Sequence, residues 1–158
     1  MKVRIIALAL TSSMFVGCVT VAKTPDETRS AYANKGIKLS IDASKQVVTS
    51  RVLKGANKCF AGKGTAVQMG GGASAINLYK VERKAVSANK DTVAMIQENK
   101  TKALWGAVDY KPTSAYKLLI DIEKQPNNKA LVTTYVANRS LNAAIKKWAE
   151  GNGTPCPA

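Results

Sequence analysis

Residues 116–137, YKLLIDIEKQPNNKALVTTYVA, decide the fold of this chain. Apolar and polar side chains alternate through the first run, which predicts a strand whose core-facing side chains are Tyr116, Leu118, Ile120 and Ile122. The polar turn QPNN at 125–128 leads into a second strand pattern at 130–137. Two such runs joined by a short polar turn predict an antiparallel hairpin.

This hairpin belongs to a longer series of strand patterns. Further strands are expected at 37–41, 65–69, 76–86, 92–98 and 104–110. A turn at 88–91 and a glycine-rich loop at 70–74 separate some of them, because three consecutive glycines do not hold the interior of an element. Strands at this spacing, with short turns between them, predict an antiparallel meander.

Two helices are expected beside the sheet. Asp42-Ala43-Ser44 offers an N-cap for a helix at about 44–58, with an apolar stripe of Val48, Val52, Ala56 and Cys59. A closing helix, capped by Asn138 or Ser140 and followed by Gly151, has a stripe of Leu141, Ala144, Ile145 and Trp148. The prediction is an α+β fold in which an antiparallel meander sheet packs against two helices.

The order strand, helix, meander, closing helix over residues 36–150 resembles that of helix-grip (START-like) folds. This resemblance implies a curved sheet that wraps the closing helix. The closing helix has about three turns here, where the family has a long one. A two-layer sandwich with both helices on one face of the sheet accounts for the same pattern, and both architectures stay open.

The first 18 residues, MKVRIIALALTSSMFVGC, have the pattern of an export signal. Lys2 and Arg4 precede a short apolar segment, which is too short to span a membrane. Residues 15–18, FVGC, resemble the bacterial lipobox. The resemblance implies cleavage before Cys18 and acylation of Cys18 with diacylglycerol and a third acyl chain such as palmitate. Because Val19 rather than Asp follows Cys18, it also implies an outer-membrane anchor facing the periplasm.

The chain therefore divides into a signal peptide at 1–17, a lipidated Cys18 with a tether at 18–35, and one domain at 36–158. The stretch Thr24-Pro25-Asp26-Glu27 also fits the start of a short helix, with Thr24 as N-cap. If Cys18 is lipidated, Cys59 and Cys156 remain, and in an oxidising compartment we expect them to form a disulfide.

Enzymatic chemistry is not expected. The chain has no His, and the mature sequence has none of the common hydrolase, metalloprotease or phosphate-loop motifs. Asp121 and Glu123 share one strand face, where we expect them to be cross-strand charge partners exposed to solvent rather than a catalytic carboxylate pair. We accordingly expect no catalytic residue, no metal site and no cofactor.

The strongest compositional signal is charge. The chain has 24 basic and 10 acidic residues, a formal net charge of +14, with the cations spread evenly along the sequence. Nucleic acid is not expected as a partner, because its recognition needs a concentrated basic stripe with interleaved aromatics. Phospholipid, lipopolysaccharide, acidic wall polymers or an envelope protein are the partners left, although the charge also serves solubility alone.

Three aromatic residues are candidates for ligand or partner contact: Trp105, Tyr116 and Trp148. Trp105 alternates with Leu104 and is expected either to cover a second layer or to lie exposed. Trp148 completes the stripe of the closing helix and is expected in the core. The sequence therefore predicts a lipid-anchored, non-catalytic accessory or interaction protein of the cell envelope. The alternative is a periplasmic binding module that holds an apolar or lipid ligand between the sheet and the closing helix.

Overall fold

A single antiparallel meander, closed at one edge by the first strand, forms the framework of the domain. The computed structural model describes residues 22–68, 74–102 and 113–157. Its strands are β1 (Lys38–Ile41), β2 (Gly64–Gln68), β3 (Ser74–Ser87), β4 (Lys90–Lys102), β5 (Thr113–Gln125) and β6 (Lys129–Tyr135). The order across the curled sheet is β1-β6-β5-β4-β3-β2, all antiparallel. The predicted α+β meander is confirmed.

Three helices accompany the strands in the described part of the chain: α1 (Pro25–Ala31), α2 (Lys45–Phe60) and α3 (Arg139–Glu150). Each begins at a polar side chain that accepts a hydrogen bond from the first turn, as is usual for an N-cap. Thr24 caps α1, Ser44 caps α2 and Asn138, rather than Ser140, caps α3. Gly151 ends α3 with a φ of 83°.

The three strands β3, β4 and β5 run longer than the sequence pattern predicts. Lys90 and Asp91, predicted in a turn, belong to β4, because they pair with Glu123 and Ile122 on β5. Ser74, predicted in the glycine-rich loop, is the first residue of β3 and pairs with Lys102. The remainder of that loop at 70–73 and the predicted strand at 104–110 lie outside the described residues.

The main core lies between the sheet and the helices α2 and α3. Trp148 is fully buried there, and its indole Nε1 donates a hydrogen bond of 2.8 Å to the carbonyl of Pro155. A Cβ placed on Gly55 of α2 would lie 2.4 Å from the Trp148 ring, so only glycine permits this approach of the two helices. Phe60 packs edge-on against the same ring, with centroids 6.4 Å apart.

The opposite face of the sheet carries a second, smaller cluster. Ala94, Ile96 and Leu119 are buried in it, with Tyr116 and Tyr135 packed against them. Helix α1 lies on this outer face against β5, so residues 25–31 of the predicted tether are helical and packed on the domain. Ala22 is also buried, and its carbonyl accepts a hydrogen bond of 2.9 Å from the amide of Tyr116.

A disulfide closes the molecule from α2 to the C-terminal segment. Cys59 and Cys156 are joined with an Sγ–Sγ distance of 2.12 Å and a Cα–Cα distance of 5.3 Å. The predicted pairing is confirmed. Because Trp148 bonds to Pro155, the residue before Cys156, the disulfide also holds the segment that covers Trp148.

Candidate functional site

The residues predicted for ligand or partner contact do not come together. Cys18 and Trp105 lie outside the described residues. Tyr116 packs in the outer cluster and Trp148 in the main core, on opposite faces of the sheet. These two aromatic residues therefore cannot line one site.

The position of Tyr116 corrects the predicted strand face. Leu118, Ile120 and Ile122 belong to the main core as expected, but Tyr116 does not. The cause is a register shift between β4 and β5: Leu118 pairs with Met95, whereas Tyr116 pairs with Ile96. A β-bulge places one extra residue, here Lys117, between the two pairs and reverses the side-chain alternation beyond it.

The proposed ligand space between the sheet and the closing helix is occupied where Trp148 lies. Leu118, Ile120 and Ile122 are at most 1% exposed and share one cluster with Trp148. The close approach of Gly55 leaves no room between Trp148 and α2. The packing of Trp148 therefore gives no support to an apolar ligand at this point.

Asp121 is buried, contrary to the prediction of a solvent-exposed carboxylate. It is 1% exposed beneath α1, whose Arg29 donates hydrogen bonds to its two oxygens at 2.9 and 3.0 Å. Thr92 donates a further hydrogen bond at 2.7 Å, and the Lys90 ammonium lies 2.8 Å away. The predicted exposure was wrong, because alternation marks which side chains share a face but not whether a helix covers that face. The cross-strand charge pairing is present, since Lys90 of β4 contacts both Asp121 and Glu123.

The pKa of Asp121 reflects this enclosure. Burial acts to raise it, but the hydrogen bonds from Arg29, Lys90 and Thr92 outweigh burial, so the pKa lies below its ordinary value. Glu123 is half-buried and shares Lys90, at 2.9 Å. Asp121 is therefore a buried anion held by Arg29, Lys90 and Thr92.

A second buried carboxylate, Asp91, lies on the inner face of the sheet. It is 0% exposed, accepts a hydrogen bond of 3.0 Å from Thr49 and lies 3.3 Å from Lys45 and 3.1 Å from Arg83. Burial raises its pKa, but Thr49, Lys45 and Arg83 together lower it below the ordinary value. The two buried acids thus neutralise cations of α1, α2, β3 and β4 inside the fold.

Apart from Lys45, which pairs with Asp91, the cations of α2 and α3 form a surface that was not predicted from the sequence. We call it the basic helical face, and its exposed or half-buried members are Arg51, Lys54, Lys58, Arg139, Lys146 and Lys147. Within the described ranges, the only carboxylate within 4.0 Å of these cations is Glu150, whose Oε1 lies 3.9 Å from Lys146.

Five acidic side chains lie on the other side of the molecule. Asp26 and Glu27 belong to α1, and Glu82, Asp121 and Glu123 share the outer face of the sheet with it. The sequence contains no acid between Asp42 and Glu82, and none between Glu123 and Glu150. Those acid-free stretches contain α2 and all of α3 except its last residue, Glu150, and they are the sequence signal from which the basic helical face could have been predicted.

No family model, curated protein or solved structure matches the chain. Among the described residues, none of the helices is both long enough and apolar enough to cross a membrane. The same residues contain no group of three or more acids, cysteines or histidines placed to hold a metal ion.

Proposed function

We propose that this chain is a lipid-anchored envelope protein whose basic helical face binds an anionic surface on the periplasmic side of the outer membrane. Its role is that of a non-catalytic interaction protein. The observation that carries the proposal is the basic helical face itself. In the described structure its six cations have one carboxylate within 4.0 Å, that of Glu150 at 3.9 Å from Lys146. The lipobox resemblance of residues 15–18 supplies the anchor.

The entry point of the chain determines how far the domain lies from the proposed membrane anchor. The carbonyl of Ala22 is fixed on the amide of Tyr116 at the start of β5. Three residues lie between Ala22 and Cys18, and at full extension the four residue steps reach about 14 Å. An anchor on Cys18 therefore keeps the domain close to the lipid headgroups, where each nearby Lys or Arg contributes about 1 kcal/mol of attraction to an anionic membrane.

The anchor is tested in cells with Cys18→Ser. The variant lacks the thiol that is acylated, so we expect it in the soluble periplasmic fraction while the unchanged chain stays with the membrane. Continued membrane association of the variant would rule out the anchor.

The basic helical face is tested with the full chain carrying Cys18→Ser, so that no acyl chain contributes to binding. Co-sedimentation with vesicles containing anionic lipid measures its affinity. Lys54→Gln, Lys58→Gln and Lys147→Gln together remove three charges, and we expect a loss of about 3 kcal/mol, roughly 100-fold in affinity.

A matched control removes three exposed cations elsewhere: Lys84→Gln, Lys124→Gln and Lys129→Gln. The net charge is the same in both variants, so a face-specific interaction predicts a much smaller loss for the control. Equal losses in the two variants would show that net charge alone drives binding, and the basic helical face would have no special role. If neither the parent nor the variants bind vesicles and crosslinking captures an acidic envelope protein, the partner of the basic helical face is a protein and not the membrane surface.

A further inference from the structure

A groove of about 390 Å³ lies at the start of α3, between that helix and the chain that leads into β1. Three cations line it: Lys35 from the segment before β1, and Arg139 and Lys146 from α3. Its apolar lining is provided by Ile37, Ala137 and Ala143. This volume is within the range of small-ligand sites, about 300–1,000 Å³.

The charge in this groove is poorly compensated. Among its described lining residues none is acidic, and Arg139 has no described carboxylate within 4.0 Å. Lys146 has only Glu150 at 3.9 Å, and Lys35 lies over the ring of Tyr32, 5.6 Å from its centroid. Cations from two separate segments thus converge on a space in which an anion would find no repelling group from the lining.

The walls of the groove are fixed by buried hydrogen bonds. Asn142 is 6% exposed, accepts a hydrogen bond of 2.6 Å from Thr134 and donates one of 3.3 Å to the carbonyl of Val136. A Cβ placed on Gly36 would clash with the carbonyl of Thr134, so this segment lies directly on β6. The cations are therefore mounted on two walls whose backbones are held in place, which lowers the entropic cost of binding.

We propose that this groove binds a phosphate monoester. Three cations match a phosphate monoester better than a carboxylate, because the monoester has a charge of about −1.5 to −2 at pH 7 and three acceptor oxygens. Arg139 supplies a planar pair of donors suited to phosphate, and the two lysines supply mobile point charges. The apolar wall contacts the carbon chain next to the phosphate.

The position of the groove favours a lipid as the source of that phosphate. Ala22, from which the chain leads back to Cys18, is bonded to Tyr116 at the start of β5. Three residues further on, Leu119 pairs with Tyr135, and Arg139 follows Tyr135 by four residues. The entry of the chain and the groove are thus at the same end of the sheet, so the lipid source, though not the phosphate site itself, rests on the proposed anchor.

The test is a titration of the full chain with Cys18→Ser, followed by the backbone amide resonances in two-dimensional NMR. The probes are dihexanoyl phosphatidic acid, glycerol 3-phosphate and inorganic phosphate. Dihexanoyl phosphatidylcholine is the control, because it is zwitterionic and has a phosphodiester in place of the monoester. We expect saturable shifts at Lys35, Arg139, Asn142 and Ala143 with phosphatidic acid, and none with phosphatidylcholine. If phosphatidic acid binds at least tenfold more tightly than the two soluble phosphates, the natural ligand is a lipid. If the three affinities are similar, the natural ligand is a soluble phosphate.

Matched double variants separate the groove from the general charge of the domain. Arg139→Gln with Lys146→Gln is expected to weaken the binding of phosphatidic acid at least tenfold, whereas Lys84→Gln with Lys124→Gln, exposed cations outside the basic helical face, leaves the affinity within twofold. Equal weakening by the two pairs, or an absence of saturable shifts at the groove with every phosphate probe, overturns the proposal.

The vesicle assay and the groove titration test separate claims, so either one can give a negative result without the other. Vesicle binding that needs Lys54 and Lys147, without any groove shifts, refutes the groove and leaves the proposed function standing. Resonance shifts at the groove without vesicle binding refute the membrane-binding role of the basic helical face and leave the phosphate site standing.

Discussion

Arg29 of α1 closes over Asp121 of β5 with two hydrogen bonds, at 3.0 Å from Nε and 2.9 Å from Nη2, across 92 positions of sequence. This ion pair holds α1 on the outer face of the sheet. Lys90 and Thr92 complete the surroundings of the same carboxylate. A single buried anion therefore connects the chain entry to the two central strands.

Replacing Asp121 is expected to destabilise the fold strongly. Asp121→Asn removes the buried carboxylate that Arg29 and Lys90 share, and breaking a buried ion pair in this way costs about 3–5 kcal/mol. The free energy of unfolding in urea measures the effect. Glu123→Gln is the matched control, because Glu123 is 40% exposed and the loss of such a pair costs about 1 kcal/mol or less. Equal losses in the two variants would contradict the importance assigned to burial.

Acid is expected to weaken the domain through Asp91 and Asp121. Both have a pKa that is lower in the folded state than the ordinary value, so in acid the unfolded chain binds more protons than the folded one. Their stabilising contribution is complete above the unfolded pKa of about 3.9 and is lost as the pH falls below it. Urea unfolding between pH 2 and pH 6 measures this.

The variant Asp121→Asn provides the internal check on that pH dependence. Because it lacks one of the two carboxyl groups, its stability is expected to fall less steeply below about pH 4 than that of the parent. An identical slope in both proteins would show that Asp121 does not contribute to the acid transition.

Local patterns predicted the elements of this fold well. The β5–β6 hairpin depends on residues close in sequence, and so do the helix caps Thr24, Ser44 and Asn138. These features could therefore be predicted without the tertiary structure. The face of Tyr116 was not predictable in this way, because the bulge at Lys117 has no distinctive residue to mark it.

The candidate sites were harder to predict because they depend on contacts between distant segments. Asp121 looks like an exposed residue until Arg29, far away in sequence, covers it. The cations are evenly spaced along the chain, but helical phasing turns Lys54 and Lys58 of α2 and Lys147 of α3 outward together. The only sequence signal for the basic helical face is the lack of acids in the stretches around α2 and α3.

A methyl group on Gly55 tests whether space exists beside Trp148. In Gly55→Ala the new Cβ would lie 2.4 Å from the indole ring, which Phe60 and Pro155 also confine. Overpacking of this kind costs about 1–3 kcal/mol, and the near-ultraviolet circular dichroism of Trp148 should change with it. Ser50→Ala on the exposed side of α2 is the control and is expected to stay within about 0.5 kcal/mol. Unchanged stability of Gly55→Ala would reveal free volume and revive the idea of a ligand at Trp148.

The disulfide is expected to make a large contribution to the stability of the fold. Cys59→Ser opens a bridge between residues 97 positions apart, which the chain-entropy model values at about 4–5 kcal/mol. The Tm should fall by roughly 10–20 °C. The C-terminal segment also loses its attachment, so the hydrogen bond from Trp148 to Pro155 should weaken and the Trp148 fluorescence should move to longer wavelength. Reduction of the unchanged protein should reproduce both effects, and reduced and oxidised protein that melted at the same temperature would show that the bridge does not stabilise the fold.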